Sequence, residues 1–459
     1  MQAPVTEQAL RYGGGGETNL SIIALAVVLL TGLVMLLWPR KYLTGLFLTV
    51  GLLMPLGQQI VIAGLHFTMF RILLLFSWIR ILIIFLSGGR DTLRFHSTRI
   101  DKAIVLWILS SVITFTLLWG ETGAFVDRMG LVYNALGAYF LMRMLCRTEQ
   151  DVDAAVKVLA GICAILALCM LNEQLTGRNL FSVFGGVPEF AYLREGKLRS
   201  QGPFAHPILS GTFGATLFAL FAGLWWQGKS KAVATVGMLS SMTVAVTSMS
   251  STPLLALGGG VCALALWPLR NRMRLIRWAT ALCLVGLHLV MKAPVWALIA
   301  RVDVIGGSSG DHRYQLVNQF INHFDQWWLL GTKLVAHWGF EMADLSNQYV
   351  ELGVTGGLAT LVCFIGILVC GFSQLGKARK ASEGNDAKQR FYWVLGAALF
   401  SNTVAFFGIS YFDQIIVAWY TLLAFIACST AEVLSHSAEK VLDEPMIGAP
   451  VSAFASKAL

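Results

Sequence analysis

The first long apolar stretch of the chain reads LSIIALAVVLLTGLVMLLWPRK, from Leu20 to Lys41. Its uncharged part, residues 20–38, comes close to the roughly 20 residues that a helix needs to cross a bilayer. Arg40 and Lys41 follow directly, which favours a helix that stays in the membrane over a leader that is removed. This stretch therefore predicts a membrane-spanning helix at the start of the fold.

The same pattern recurs along the chain. Of its 459 residues, 56% are hydrophobic and 13% are charged, whereas soluble domains usually carry about 25% charged residues. Membrane lipids are therefore the expected solvent. One run contains Pro55, which can break it. We predict an all-α, polytopic membrane protein of about 12–13 transmembrane helices, drawn from the apolar runs 20–38, 43–63, 69–87, 103–119, 130–146, 154–175, 206–226, 232–248, 253–268, 278–292, 348–372, 391–409 and 412–432.

The basic residues lie in short clusters between these runs, at every second turn of the chain. We therefore interpret the net charge of +9 as an orientation signal, and nucleic acid is not an expected partner. Because cytoplasmic loops carry the excess of Lys and Arg, we place these clusters in the cytoplasm. They are Arg40 and Lys41; Arg90, Arg94, Arg99 and Lys102; Arg147; Lys229 and Lys231; Arg270, Arg272, Arg274 and Arg277; and Lys377, Arg379, Lys380, Lys388 and Arg390.

Two long loops fall on the opposite, outer side, at residues 176–205 and 293–347. Long loops are where function concentrates. Residues 1–435 form one predicted transmembrane helical domain, and residues 436–459 a disordered cytoplasmic tail. The chain has no soluble catalytic module and no nucleotide or zinc motif. Its eight Cys residues include no C-x-x-C, so we expect no disulfide framework, no metal and no cofactor.

The second outer loop predicts an amphipathic helix after the small residues 306–310, suited to the membrane surface. Arg313 lies in its first turn, and Arg301 lies upstream. A helix N-terminus attracts phosphate, and an arginine fork pairs with phosphate oxygens. The alternative is an ordinary loop that caps a structural helix. The predicted apolar face consists of Val317, Phe320, Ile321, Phe324, Trp327 and Trp328.

Four polar residues follow before the next span: His337, Glu341, Asp344 and Asn347. A His can act as a general base near neutral pH, although a loop His is often merely solvated. The first outer loop carries the cations Arg194, Lys197 and Arg199. Positive charge on the outer side runs against the orientation rule, either because it binds an anion or because long loops tolerate charge.

Three features resemble the O-antigen ligase and O-antigen polymerase superfamily. The resemblance covers roughly residues 198–357. Its parts are Arg199 before Gly202-Pro203-Phe204-Ala205-His206-Pro207, Arg313 at the head of the amphipathic helix, and Asn347 before Gly353 and Gly356 at the mouth of a span.

The resemblance implies a metal-independent glycosyltransferase in the bacterial inner membrane, with its active face in the periplasm. The donor is an undecaprenyl-diphosphate-linked glycan. The acceptor is a second lipid-linked glycan for a polymerase and lipid A-core for a ligase, and the sequence does not separate these two. By resemblance, Arg199 and Arg313 hold the diphosphate, with Arg301 and Arg194 as further candidates.

The sequence departs from the family pattern at two places. Ser346 stands where the family often has a His, and Ser250-Ser251-Thr252-Pro253 stands where many relatives have Ser-Arg. These departures suggest a divergent branch, such as a capsule or exopolysaccharide polymerase. His337 is the first candidate for the base, supported by Glu341 and Asp344, because a nearby phosphate is expected to raise the pKa of His206 and of His312.

A transporter or flippase of lipid-linked glycans is the main alternative. Transporters place ionisable residues at the middle of their helices. In this chain Arg80, Lys157 and Glu351 lie near the ends of the predicted spans. We therefore favour glycosyl transfer over transport.

Overall fold

A computed structural model describes residues 18–62, 65–88, 95–228, 230–301 and 309–443. Each apolar run predicted from the sequence contains a helix. The helices are α1 (Ile22–Leu37), α2 (Leu43–Leu53), α3 (Met69–Leu86), α4 (Arg99–Trp119), α5 (Thr122–Leu145), α6 (Glu149–Thr176), α7 (Pro207–Trp226), α8 (Lys231–Thr247), α9 (Ser251–Ala265), α10 (Met273–Val290), α11 (Ser309–Asn322), α12 (Phe324–Trp327), α13 (Gln348–Ala381), α14 (Asp386–Ala405) and α15 (Gln414–Asp443).

Within these ranges, seven helices are long and apolar enough to cross a membrane, and three shorter apolar helices accompany them. The prediction of an all-α polytopic membrane protein is confirmed at this level. The seven long segments are Met69–Leu86, Arg99–Trp119, Glu149–Thr176, Pro207–Trp226, Trp267–Val290, Gln348–Ala381 and Gln414–Leu434, and the shorter ones are α1, α8 and α9.

Some of the predicted segments extend to or beyond the limits of the described residues. α15 continues past residue 435 to Asp443, into the segment for which we expect disorder, and residues 444–459 lie outside the described ranges. The small stretch 306–308 and the basic residues Arg90, Arg94 and Lys229 also lie outside them.

The run 43–63 is not one helix. α2 ends at Leu53 and Pro55 follows, whose ring and missing N–H prevent the helix from continuing. The chain then forms the antiparallel hairpin of β1 (Gln59–Ile62) and β2 (Leu65–Thr68). This hairpin is one of two that the all-α prediction does not include.

The second hairpin lies in the first outer loop and pairs β3 (Tyr192–Arg194) with β4 (Lys197–Arg199). Glu195 and Gly196 form its two-residue turn, with φ values of 52° and 73°. Consecutive positive φ values match the twist of a tight hairpin, and glycine adopts them without strain. The hairpin places Arg199 opposite Tyr192.

The long helix α13 is interrupted at Gly357, where φ is 68° and ψ is −175°. A segment of the second outer loop fills the break. Leu358 N donates to Trp328 O at 2.8 Å, and Thr332 N donates to Val354 O at 2.8 Å. Because both backbone groups freed by the break are satisfied, the second outer loop is bonded directly to α13.

The basic and the long loops lie at opposite ends of the helices. At one end, Arg379 Nη1 donates to Asn271 Oδ1 at 3.1 Å, which joins two basic loops. At the other end, Gln348 N at the start of α13 donates to Phe406 O at the end of α14, at 2.9 Å. The second long loop thus lies at the same end as the α14–α15 turn, and so does the first, because Gln414 Nε2 at the start of α15 donates to Pro203 O.

Candidate functional site

Arg313 lies on the buried face of α11. Arg313, Leu316 and Phe320 are spaced three and four residues apart and are 5%, 0% and 8% exposed. This face packs on α13, since an ideal Cβ on Gly353 would lie 2.4 Å from Phe320 Cζ. Arg313 therefore faces the protein and not the solvent.

The apolar face predicted for this helix is divided. The helix ends at Asn322 and resumes as the short α12. Trp327 is 3% exposed and packs inside the protein with Phe320, whereas Ile321, Phe324 and Trp328 are exposed. The prediction of one continuous aromatic face is therefore wrong, because the outer end of α13 covers part of it.

Arg199 is buried at the end of β4, with 4% of its surface exposed. Its Nη2 donates to Ser250 Oγ at 2.5 Å, and its Nε donates to Ser248 O at 3.4 Å. Both partners lie in the α8–α9 connection, where the sequence departs from the family pattern. Neutral acceptors thus fix the guanidinium without neutralising its charge.

Arg194 stands near Arg199 on the same hairpin and is exposed. Burial lowers the pKa of Arg199, the positive charge of Arg194 lowers it further, and Tyr192 opposes both. Within the described chain, neither arginine forms an ion pair with a carboxylate. Two neighbouring guanidinium groups without a counter-charge are suited to an anion.

His206 caps the N-terminus of α7, where its Nδ1 accepts a hydrogen bond from Ile208 N at 3.2 Å. In the neutral ring, Nε2 therefore carries the proton. Burial lowers the pKa of His206 to about 4, Arg199 and Arg194 lower it as well, and Asp344 opposes them. This direction is opposite to the one expected with a phosphate bound, because burial and two cations dominate in the free protein.

Asp344 interacts with a His residue of each outer loop, by contact with one and through its charge with the other. His312 Nε2 lies 3.2 Å from the backbone oxygen of Asp344 and 3.9 Å from its carboxylate Oδ2. The same carboxylate acts electrostatically on His206 in the first outer loop. The structure thus brings together Arg194, Arg199 and His206 from one loop with His312 and Asp344 from the other.

His337 belongs to a separate group around α12. Its Nε2 lies 2.9 Å from Gln326 Oε1, which also accepts from Trp338 Nε1 at 2.8 Å. The indole N–H can only donate, so the Gln326 atom that it meets is the amide oxygen, and His337 Nε2 must donate to that oxygen as well. Its Nδ1 is therefore the proton-accepting atom. His323 stacks on Trp338, with ring centroids 5.1 Å apart.

This group and the arginines are not in direct contact. Among the described residues, no hydrogen bond or ring contact joins His337 to Arg199, His206 or Asp344. His337 is exposed. A substrate that uses both groups would therefore have to span the gap between them.

Asn347 has a structural role at the start of α13. Its Oδ1 accepts from Tyr349 N at 3.0 Å and from Val350 N at 3.2 Å, which caps the helix. Its Nδ2 donates to Phe407 O at 3.2 Å, and the residue is 1% exposed. Asn347 therefore fixes the outer end of α13 against the α14–α15 turn.

Glu341 and Arg301 lie at the periphery. Glu341 is exposed, with a φ of 56°, and its carbonyl accepts from Asp344 N at 3.0 Å. Arg301 is exposed and ends a 3₁₀ helix, Val295–Arg301. The preceding Ala300 O would lie 2.8 Å from a Cβ on Gly310, which places this 3₁₀ helix against the first turn of α11.

Asp413 is not among the site residues predicted from the sequence. Asp413 lies in the α14–α15 turn with a φ of 52°, and burial raises the pKa of its carboxyl to about 6. In sequence it looks like a helix cap before an apolar run. The only feature of the sequence that could have indicated a site here is an acidic residue directly at the outer end of a span.

No family model matches the chain, and no curated protein matches it. Within the described ranges, no group of three or more His, Cys, Asp or Glu side chains is placed to hold a metal ion.

Proposed function

We propose that the protein transfers an undecaprenyl-diphosphate-linked glycan to an acceptor hydroxyl at the periplasmic face of the bacterial inner membrane. It would act as an O-antigen, capsule or exopolysaccharide polymerase or ligase, in a multi-pass chain of 12–13 crossings. The supporting observation is the proximity of Arg194 and Arg199, neither with a carboxylate partner among the described residues, at the end of an apolar helical bundle. A lipid diphosphate offers the matching charge and a tail for the bilayer.

The proposed reaction joins the acceptor oxygen to the anomeric carbon of the donor and breaks the bond from that carbon to the diphosphate. Negative charge grows on the diphosphate, and Arg199 and Arg313 stabilise it. Arg199 is already fixed by Ser250 and Ser248, so little reorganisation accompanies the reaction. His206 donates its Nε2 proton in a hydrogen bond to the same anion.

The acceptor hydroxyl must lose its proton as the new bond forms, and we assign that proton to His337. Its Nε2 donates to Gln326, so Nδ1 is free to accept. Exposure of the ring at the outer face leaves room for a glycan to approach. The proton moves from the hydroxyl to Nδ1, and the diphosphate leaves with the electron pair.

The test is a transfer assay with purified protein in lipid nanodiscs. Lipid-linked glycan extracted from the producing cells serves as donor, with lipid A-core or further lipid-linked glycan as acceptor. Longer or transferred glycan together with free undecaprenyl diphosphate supports the proposal. Binding of the lipid-linked glycan without any new glycosidic bond, under both acceptor conditions, argues against it.

Transport of lipid-linked glycans is the second candidate. The break in α13 at Gly357 favours it, because transporters often use interrupted helices at their substrate sites. In reconstituted vesicles, a flippase would move lipid-linked glycan between leaflets without changing its mass. A transferase would change the mass of the glycan without requiring that movement.

A further inference from the structure

The α14–α15 turn, residues 406–413, is bonded to the second outer loop. Ser410 Oγ donates to Leu345 O at 3.1 Å, and Tyr411 N donates to Gln348 Oε1 at 2.7 Å. Both acceptors lie within a few residues of Asp344. The turn is therefore held next to the segment that contains Asp344.

The residue that follows this turn is bonded to the first outer loop. Gln414 Nε2, at the start of α15, donates to Pro203 O and, at 3.0 Å, to Met54 O. Pro203 lies between Arg199 and His206 in sequence. Asp413 thus lies between Tyr411, which is bonded to the start of α13 beside the second outer loop, and Gln414, which is bonded to the first.

The carboxyl of Asp413 does not cap α15. An N-cap Asp normally accepts a backbone N–H from the first turn, as Asn347 does at α13. Asp413 instead has a φ of 52°, and only its backbone oxygen is used, by Ile416 N at 3.2 Å. No hydrogen bond from a described residue reaches its carboxyl, which is partly buried.

No charged group among the described residues neutralises this carboxyl. The nearby segments carry Arg199 and His206 in the first outer loop, and Asp344 and Glu351 in or beside α13, yet burial alone is responsible for the raised pKa of Asp413, about 6. The group is therefore ionised at neutral pH, and its two oxygens can only accept hydrogen bonds. A ligand with neutral donors, such as sugar hydroxyls, would satisfy them.

We propose that Asp413 binds hydroxyl groups of the acceptor glycan and so forms an acceptor subsite between the two outer loops. This inference rests on the proposed glycosyl transfer. A displacement at the anomeric carbon brings the acceptor in opposite the leaving group. The acceptor subsite should therefore lie apart from the arginines that hold the diphosphate, and a carboxylate without a cationic partner fits that position.

The test compares Asp413→Asn with a matched control, Asp325→Asn, which removes an exposed carboxylate from α12. Acceptor is titrated at saturating donor. For Asp413→Asn we expect the acceptor KM to rise roughly 10- to 100-fold, as for loss of a charge-assisted hydrogen bond. Donor KM should stay unchanged, and Asp325→Asn should behave as wild type. An unchanged acceptor KM in Asp413→Asn overturns the subsite.

Two further measurements distinguish failure of the acceptor subsite from misfolding of the variant and from failure of the proposed glycosyl transfer. Asp413→Asn should melt no lower than wild type, because it removes a buried charge. Saturation-transfer NMR with the methyl glycosides of glucose, galactose and N-acetylglucosamine detects sugar binding without turnover. If the protein binds these sugars through Asp413 but shows no transfer activity, the sugar subsite is supported and the proposed glycosyl transfer is contradicted. Binding that is equal in wild type and Asp413→Asn would reject the subsite alone.

Discussion

A buried guanidinium is stable only where hydrogen-bond acceptors or an anion surround it, because desolvation of its charge is costly. Arg199 has two neutral acceptors and a second arginine nearby. The positive potential at this point is therefore maintained by the fold. An anion that binds there meets a side chain that is already oriented.

Replacement of Arg199 by Lys tests this point. Lys keeps the charge but cannot bond to Ser250, Ser248 and a phosphate at once. We expect donor turnover to fall roughly 10- to 100-fold, which corresponds to one lost charge-assisted hydrogen bond. The control is Arg178→Lys, an exposed arginine of the same loop that lies 4.0 Å from Glu189. Equal losses in both variants would argue against a special role for Arg199.

The role of His337 as the base is tested by the turnover rate of its variant and not by the affinity for substrate. Loss of a general base typically reduces the rate about 10²–10⁴-fold while substrate binding survives. We expect His337→Ala to fold, to bind lipid-linked donor and to turn over poorly. His206→Ala, His312→Ala and His323→Ala are measured in the same assay. Normal turnover by His337→Ala, with one of the others inactive, would move the base to that residue.

His206 makes a prediction about stability in acid. Its pKa in the folded protein is about 4, against an ordinary value of 6.5, so the unfolded chain binds the proton more readily. The folded state should therefore lose stability as pH falls from about 6.5 to about 4. His206→Asn keeps a capping oxygen for Ile208 N and does not titrate. Its melting temperature should fall less than that of wild type over this window; parallel curves would contradict the prediction.

The sequence alone predicts which cations and His residues belong to the outer loops, but not their partners. Arg199 bonds to Ser250, which lies in another connection of the chain, and the charge of Asp344 acts on His206 in the other outer loop. Periodicity and local spacing contain no information about such distant contacts. Asp413 was missed for the same reason. That its carboxyl has no hydrogen-bond partner among the described residues can be seen only once the positions of both outer loops are known.

At the scale of elements, the break in α13 depends on two glycines. Gly357 has a φ of 68°, and a Cβ on it would lie 2.6 Å from Leu329 O. Gly331, in the docked loop, has a φ of 98°, and a Cβ there would lie 2.2 Å from Val354 O. Both positions require the absence of a side chain, so this junction is specified by the sequence.

Gly357→Ala should destabilise the protein by roughly 2 kcal/mol or more, through backbone strain and the clash with the loop. Gly366→Ala, on the same helix, is the matched control. A Cβ at Gly366 meets nothing within 4 Å, and alanine favours a helix over glycine by about 0.5–1 kcal/mol. The control should therefore be neutral or stabilising. Thermal unfolding in detergent measures both, and a similar melting temperature for the two variants would contradict the prediction.

Helices could be predicted from the sequence far better than the short strands. Each apolar run contains a helix because a bilayer-length run carries a strong signal. The hairpin of β3 and β4 has strands of three residues, too short for an alternating pattern to emerge. Its turn, Glu195-Gly196, was not predicted either, because Glu-Gly is not one of the dipeptides that mark a tight hairpin.

For the whole molecule, the positive-inside rule predicts which end faces the cytoplasm. We expect the loops at 88–101, 269–277 and 373–390 to be inside, and those at 176–205 and 293–347 to be outside. The exposed native thiols, Cys262 and Cys283, are first replaced by Ser. A membrane-impermeant maleimide added to spheroplasts should then label Asp325→Cys but not Glu383→Cys. If only Glu383→Cys were labelled, the predicted topology would be wrong and the two sets of loops would lie on the opposite sides.

The loop docked in α13 also constrains how the molecule assembles. Residues 328–332 precede α13 in the chain, yet they bond to its interior at Val354 and Leu358. A continuous helix would pair those two groups with each other, so docking exchanges one hydrogen bond for two. Each of the two bonds joins residues more than 20 positions apart in the chain, so they form only after the intervening loop has closed. The outer quarter of α13 should thus be the last part of the bundle to gain protection from hydrogen exchange during folding.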